Sequence, residues 1–114
     1  MQHVYRTEKA AFSPKIGQLK PCFYSLTDSG YPDIKNIKQV LKKCNPKLIC
    51  IENTHNTAGG TYIPLEVLKG LKGIAGNVGI PVHMDGARLF NASLASGIAV
   101  NEICKYADTV MFCI

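Results

Sequence analysis

The stretch "VHMDGARLFN", residues 82–91, carries a carboxylate at Asp85 and a guanidinium at Arg88, three positions apart and directly after a strand-like apolar segment. One explanation is an ion pair on the surface of a turn, an arrangement worth little in water. The other is an acid and a planar multiple donor, each fixed by the backbone and aimed at a ligand. A second polar cluster, "ENTHN" at residues 52–56, also follows an apolar run and brings Glu52, Asn53, Thr54, His55 and Asn56. What these groups can do together depends on the elements that carry them.

Apolar runs alternate with segments of helical spacing. Residues 22–26, "CFYSL", predict a short strand, and the Gly- and Pro-punctuated "DSGYPD" (28–33) predicts a loop. Asp33 is placed to cap a helix in which Ile34, Ile37, Val40 and Leu41 share one face, and Asn45-Pro46 ends it. Residues 47–52, "KLICIE", predict a strand of the kind that parallel sheets bury. After the loop 53–64, Leu65, Leu68, Leu71 and Ile74 or Ala75 predict a helix over 65–78. Gly70, Gly73 and Gly76 fall inside it, each costing about 1 kcal/mol relative to Ala, so the helix is expected to be weak or frayed. A strand over 81–85, a helix over 87–97 with Gly97 as its cap, a shorter helix over 100–107 and a strand over 108–114 complete the pattern. Such alternation predicts an α/β fold with a parallel sheet joined by right-handed crossovers, its strands near 22–26, 47–52, 81–85 and 108–114.

The 114 residues suit one domain, and 46% apolar with 18% charged residues argues against disorder. The net charge of +5 raises the question of nucleic acid. Lys35, Lys38, Lys42 and Lys43 nevertheless fall on one helical stretch with no aromatic residues interleaved as a stacking platform, and they predict a solvated helix face. The five cysteines are odd in number and contain no C-x-x-C; with Cys22, Cys50 and Cys113 inside apolar runs, they predict reduced, buried thiols. The polar start "MQHVYRTEKA" and the lack of a long apolar run predict a cytoplasmic protein without a membrane span.

In an open α/β sheet, ligands bind outside the carboxyl ends of the strands. Glu52 and Asp85 both stand at such ends, so Asn53, His55, Asn56 and Arg88 are expected beside them on one edge. Glu52, His55, His83 and Asp85 are permitted metal ligands, but neither H-x-x-x-H nor a repeated carboxylate supports that use, and His83 reads as an ordinary strand histidine. No G-x-G-x-x-G or G-x-x-x-x-G-K-[ST] supports phosphate cradling of the familiar kinds. A cofactor whose ring nitrogen needs a carboxylate fits better. Pyridoxal 5'-phosphate is one, because an acid against its pyridine nitrogen keeps that nitrogen protonated and the ring an electron sink.

The segments "ENTHN-x-AGG" and "H-x-DGARLFNA", with "HVYRTE" (3–8) before them, resemble the low-specificity L-threonine aldolases, in the β-eliminating lyase group of fold-type I pyridoxal-phosphate enzymes. The resemblance covers nearly the whole chain and is strongest from Leu48 to Ile114. It implies a partial three-layer large domain and reversible cleavage of L-threonine or allo-threonine to glycine and acetaldehyde through an imine of the cofactor. By the match of motifs, Asp85 would pair with the pyridine nitrogen. Arg88 would hold the substrate carboxylate or the cofactor's phenolic oxygen. His3 would stand near the substrate's hydroxyl. Asn53, Thr54 and His55 would shape the cofactor pocket.

Departures accompany the match. The family's Schiff-base lysine follows the strand that "TVMFCI" resembles and would fall just beyond Ile114; its phosphate cup, ring-stacking histidine and C-terminal domain have no counterpart here. Residues 1–114 therefore read as the central part of a larger domain, on their own not a competent aldolase. A non-catalytic α/β interaction module derived from such an enzyme is the alternative. The resemblance also implies a β-hydroxy amino acid substrate and a homo-oligomer, a dimer or tetramer, for the complete enzyme.

Overall fold

The computed structural model describes residues 9–54 and 61–114. After a 3-10 turn at Lys9–Phe12, helix α1 (Ile34–Cys44) leads to strand β1 (Ile49–Glu52) and α2 (Leu65–Asn77) to β2 (Val82–Gly86). Helices α3 (Leu89–Ser96) and α4 (Val100–Cys104) then lead to β3 (Thr109–Phe112). The three strands form one sheet in the order β1-β2-β3, and both pairings are parallel. Parallel neighbours require crossovers, which α2 and the α3–α4 pair supply.

The helices stop where their sequences dictate. Asp33 accepts from the N–H groups of Lys35 (3.0 Å) and Asn36 (3.2 Å), and at the other end Asn45 turns left-handed at φ 47° with its N–H on the Leu41 carbonyl. Gly97, at φ 70°, ends α3 by donating to the Ser93 carbonyl at 2.9 Å. Helix α2 runs unbroken over its 13 residues despite its glycines. Gly70 faces Ile34 of α1, and a Cβ added at Gly73 or Gly76 would meet nothing within 4 Å. The leucine face carries the helix: Leu68, Leu71 and Ala75 are buried.

These side chains meet Ile49 and Ile51 of β1 and Val82 and Met84 of β2, with Leu89, Ala92, Ile103, Ile37 and Ile63 completing the core. The alternate strand residues Cys50, His83 and Asp85 are half-buried on the opposite side. The two sets follow from the period of two along a strand.

Residues 22–26 do not form the expected strand. Leu26 makes only an isolated antiparallel bridge to Pro32, within a turn closed by Thr27 N–H to the Tyr31 carbonyl at 2.7 Å. The segment instead runs beside α1 and β1: Ser25 N–H donates to Asn36 Oδ1 at 2.7 Å and Tyr24 Oη to the Cys50 carbonyl at 2.9 Å. A pattern of apolar residues reports a surface to cover and not a strand to pair with. The cysteines also depart from expectation. All five are free, but Cys22, Cys44 and Cys113 are exposed and Cys50 and Cys104 only part-buried, because the first two and Cys113 lie on segments outside the core. The α1 lysines Lys35, Lys38, Lys42 and Lys43 are exposed, as a solvated face requires. No helix among the described residues is long and apolar enough to cross a membrane.

Candidate active site

The parallel register brings the two polar clusters together. Glu52 pairs with Asp85 across β1 and β2, and the ladder continues one step further through Asn53 N–H to the Asp85 carbonyl at 3.0 Å. At the carboxyl ends of adjacent strands there are thus two acids side by side, with the chain after β1 turning inward. Glu52, Asn53 and Thr54 are all buried.

Asn53 is fixed by a bond that its position in the sequence does not reveal. Its Oδ1 accepts from the Ile63 N–H at 3.1 Å, so one side chain ties the end of β1 to the residue before Pro64 and helix α2. Its amide Nδ2 is buried without a hydrogen-bond partner among the described residues. An orphaned buried donor costs about 1–3 kcal/mol, and natural proteins rarely tolerate one without a use.

Asp85 stands one residue before the end of the middle strand. Its Oδ1 accepts from the Ala87 N–H at 3.2 Å, which ties the carboxylate to the backbone just after the strand. Gly86 is required by proximity and not by its backbone angles. A Cβ there would stand 2.7 Å from the Met111 carbonyl oxygen of β3. The charge of Asp85 reaches Cys50: burial first, and then that carboxylate, push the Cys50 thiol above its ordinary range. His83, two residues back on the same side, is held by Thr109 of β3, its Nδ1 lying 2.7 Å from Oγ1. That contact suits a strand histidine with a structural partner. Among the described residues no group of three potential metal-ligating side chains gathers.

Arg88 precedes α3 with an exposed side chain and makes no ion pair among the described residues. The surface pair that would make the motif uninteresting is therefore absent: Asp85 is bonded to backbone and Arg88 is not bonded to Asp85. Asp85, Asn53 and Thr54 come together at one edge, and Arg88 stands one short turn away. His3 and His55 lie outside the described residues. Sequence reasoning missed the Asn53–Ile63 and His83–Thr109 contacts. Only an Asn directly after a strand hinted at the first, and the second spans separate strands.

Comparison with known proteins bears on the family and the fold. The beta-eliminating lyase family model matches residues 1–114. An uncharacterised protein of Caenorhabditis elegans is 38% identical over 97% of this chain and 28% of its own length. Low-specificity L-threonine aldolase 1 of Arabidopsis thaliana is 35% identical over 98% of this chain and 33% of its own. A crystal structure of a candidate L-allo-threonine aldolase from Listeria monocytogenes superposes with a TM-score of 0.83 at 25% identity, covering 98% of this chain and 30% of that one. The chain thus spans about a third or less of the length of these relatives.

Proposed function

The chain belongs to the beta-eliminating lyase family, and from that membership we propose that the protein is a pyridoxal 5'-phosphate-dependent carbon–carbon lyase of the threonine-aldolase type, cleaving L-threonine or L-allo-threonine to glycine and acetaldehyde. The observation that carries this reading is Asp85, a carboxylate at the carboxyl end of the middle strand, bonded to backbone and not to the nearby guanidinium. The residues fit the cofactor. Asp85 would hold the pyridine nitrogen in its protonated form, and Asn53, at the end of the neighbouring strand, keeps a buried Nδ2 without a partner among the described residues. When bound, pyridoxal phosphate supplies an electron sink for the pair released as the Cα–Cβ bond breaks.

The chain's own residues do the rest. Arg88, with an exposed guanidinium and no ion-pair partner among the described residues, holds the substrate carboxylate or the cofactor's phenolic oxygen as a planar multiple donor. His3 serves the substrate's β-hydroxyl, taking its proton as cleavage begins. Thr54 and His55, following Asn53 in the sequence, would shape the cofactor pocket. Phe90, Leu94, Met111 and Phe112 are exposed apolar residues, and they support assembly into a homo-oligomer. The same patch favours the second reading, a non-catalytic α/β interaction module.

Binding of pyridoxal phosphate to the purified protein, followed by the cofactor's absorbance, separates the two. The lyase reading expects saturable binding that Asp85→Asn weakens while the thermal melt stays unchanged. No saturable binding, or an Asp85→Asn protein that binds as wild type does, overturns it.

A further inference from the structure

The two outer edges of the sheet are finished differently. At the β1 edge the chain before α1 lies alongside: Tyr24 Oη donates to the Cys50 carbonyl at 2.9 Å, and Ser25 N–H donates to Asn36 Oδ1 of α1 at 2.7 Å. The β3 edge has no such cover among the described residues. β3 pairs with β2 alone. Asp108 N–H donates to the Val82 carbonyl, so from there on the even-numbered residues turn their backbone groups toward β2. Thr109 and Met111 turn theirs outward, where neither finds a backbone partner among the described residues.

Natural edge strands are guarded by lysines, prolines, bulges or a covering element. Residues 109–112 carry neither a charge nor a proline, and they pair with β2 without a bulge. Apolar side chains border the edge on both sides of the sheet. Met111, exposed, shares the side of its register partner Asp85. Phe112, also exposed, lies on the other side, where its ring meets Phe90 of α3 edge-on at a centroid distance of 6.2 Å. Leu94, one helical turn on from Phe90, is 85% exposed. An unpaired backbone and an apolar border thus coincide along one strand.

We propose that this edge is the contact between two copies of the chain: β3 pairs antiparallel with β3 of a second copy about a twofold axis at Met111, joining two three-stranded sheets into one of six strands. A free strand edge is its own complement under such an axis, because outward N–H groups meet outward carbonyls. The axis at Met111 sets Met111 opposite Met111 and Thr109 opposite Cys113, so each outward residue from 109 to 113 faces another. Moving it by half a residue along the strand would set outward residues against inward ones and lose the bonds. On the α3 side the same register puts Phe112 opposite Val110, with Phe90 alongside. Charge favours this contact over others. The chain carries +5, which sets copies against each other, but residues 109–114 bring no charge to the edge. Lys35, Lys38, Lys42 and Lys43 belong to α1, which the Ser25–Asn36 bond ties to the segment on the β1 side. The inference rests on the homo-oligomer reading above and draws nothing from the lyase chemistry.

The test is sedimentation equilibrium of the purified protein over a wide range of concentration, without cofactor and with reductant present. A monomer–dimer equilibrium is expected. Met111→Pro removes an N–H that the chain itself does not use, so it should keep the β2–β3 ladder and the thermal melt while weakening the dimer about tenfold or more. Met111→Lys, at a side chain already exposed, should do the same by setting two like charges opposite each other. For the register, Met111→Cys is treated with a mild oxidant and its cross-links are mapped by mass spectrometry of proteolytic peptides. Position 111 should join position 111 of the second copy, since a bonded antiparallel pair holds its Cα atoms about 5.5 Å apart, within reach of a disulfide. A protein that stays monomeric at every concentration overturns the proposal. So does a dimer that Met111→Lys leaves as tight as wild type, or one whose position 111 does not cross-link to itself. The outcome is independent of pyridoxal phosphate, so a protein that dimerises without binding the cofactor defeats the lyase reading and leaves this one standing.

Discussion

Replacing Gly86 with alanine tests how closely β2 and β3 must approach at the candidate active site. The added Cβ would stand 2.7 Å from the Met111 carbonyl oxygen, 3.1 Å from the Leu89 Cβ and 3.3 Å from the Val110 Cγ1. A carbon and a carbonyl oxygen ordinarily rest about 3.3–3.6 Å apart. The nearest obstacle is the backbone of β3, which no side-chain rotation can move, so the two strands must separate by about 0.5–1 Å where Gly86 pairs with Phe112. Overpacking of this kind costs about 1–3 kcal/mol. An unfolding entropy of about 2.1 cal/mol/K per residue gives about 0.24 kcal/mol/K for 114 residues, so each kcal/mol lowers Tm by about 4 °C. Gly86→Ala should therefore melt about 4–12 °C below wild type by circular dichroism. Gly73→Ala supplies the opposite sign in the same measurement. Nothing lies within 4 Å of its added Cβ, and removing a glycine from a helix interior should raise Tm by about 2–4 °C. A Gly86→Ala protein that melts with wild type, or shifts in the same direction as Gly73→Ala, would refute the steric reasoning.

Asn53→Ala strips the acceptor from the buried Ile63 N–H and should destabilise the fold by about 1–3 kcal/mol, measured by urea unfolding. Asp33→Ala removes both cap bonds of α1 and should cost about 1 kcal/mol with the m-value unchanged. Asp108 is held below its ordinary value of 3.8 first by the hydrogen bond from Lys72 and then by the Val82 N–H. A depressed carboxyl pKa stabilises the fold above the unfolded value and loses that contribution as pH falls through the folded one. Wild type should thus lose stability below about pH 4 more steeply than Asp108→Asn, in chemical denaturation at a series of acidic pH values. Equal slopes in that window would contradict the assignment.

The sequence made some elements plain and hid others, for physical reasons. Helix α1 was readable because its start and stop are local chemistry: an Asp whose carboxylate meets N–H groups two and three residues on, and an Asn that tolerates the left-handed turn. Helix α2 was readable through Leu68 and Leu71, and its glycines proved harmless because they avoid the packed face. Residues 22–26 misled because apolar composition does not say whether a neighbouring strand will have room for another. The edge where Glu52 and Asp85 meet followed from two strand ends and parallel topology alone. Whether Asp85 would bond Arg88 or the backbone could not follow, since both partners lie within reach of the same short turn. The contacts of Asn53 and His83 join residues 10 and 26 positions apart, and only the folded chain brings such pairs together.

One exposed carboxylate far from that edge bears on it. Asp108 Oδ2 accepts from the Val82 N–H at 2.8 Å and from Lys72 Nζ at 2.5 Å, while its own N–H donates to the Val82 carbonyl at 2.8 Å. This clasp sits where β2 and β3 begin, at the opposite end of the strands from Asp85. A slip of one residue in a strand would swap its inward and outward sides, carrying Asp85 under the helices and Met84 into the open. The clasp works as an indexing pin: set at the far end of a five-residue strand, it decides which way the acid at the near end points.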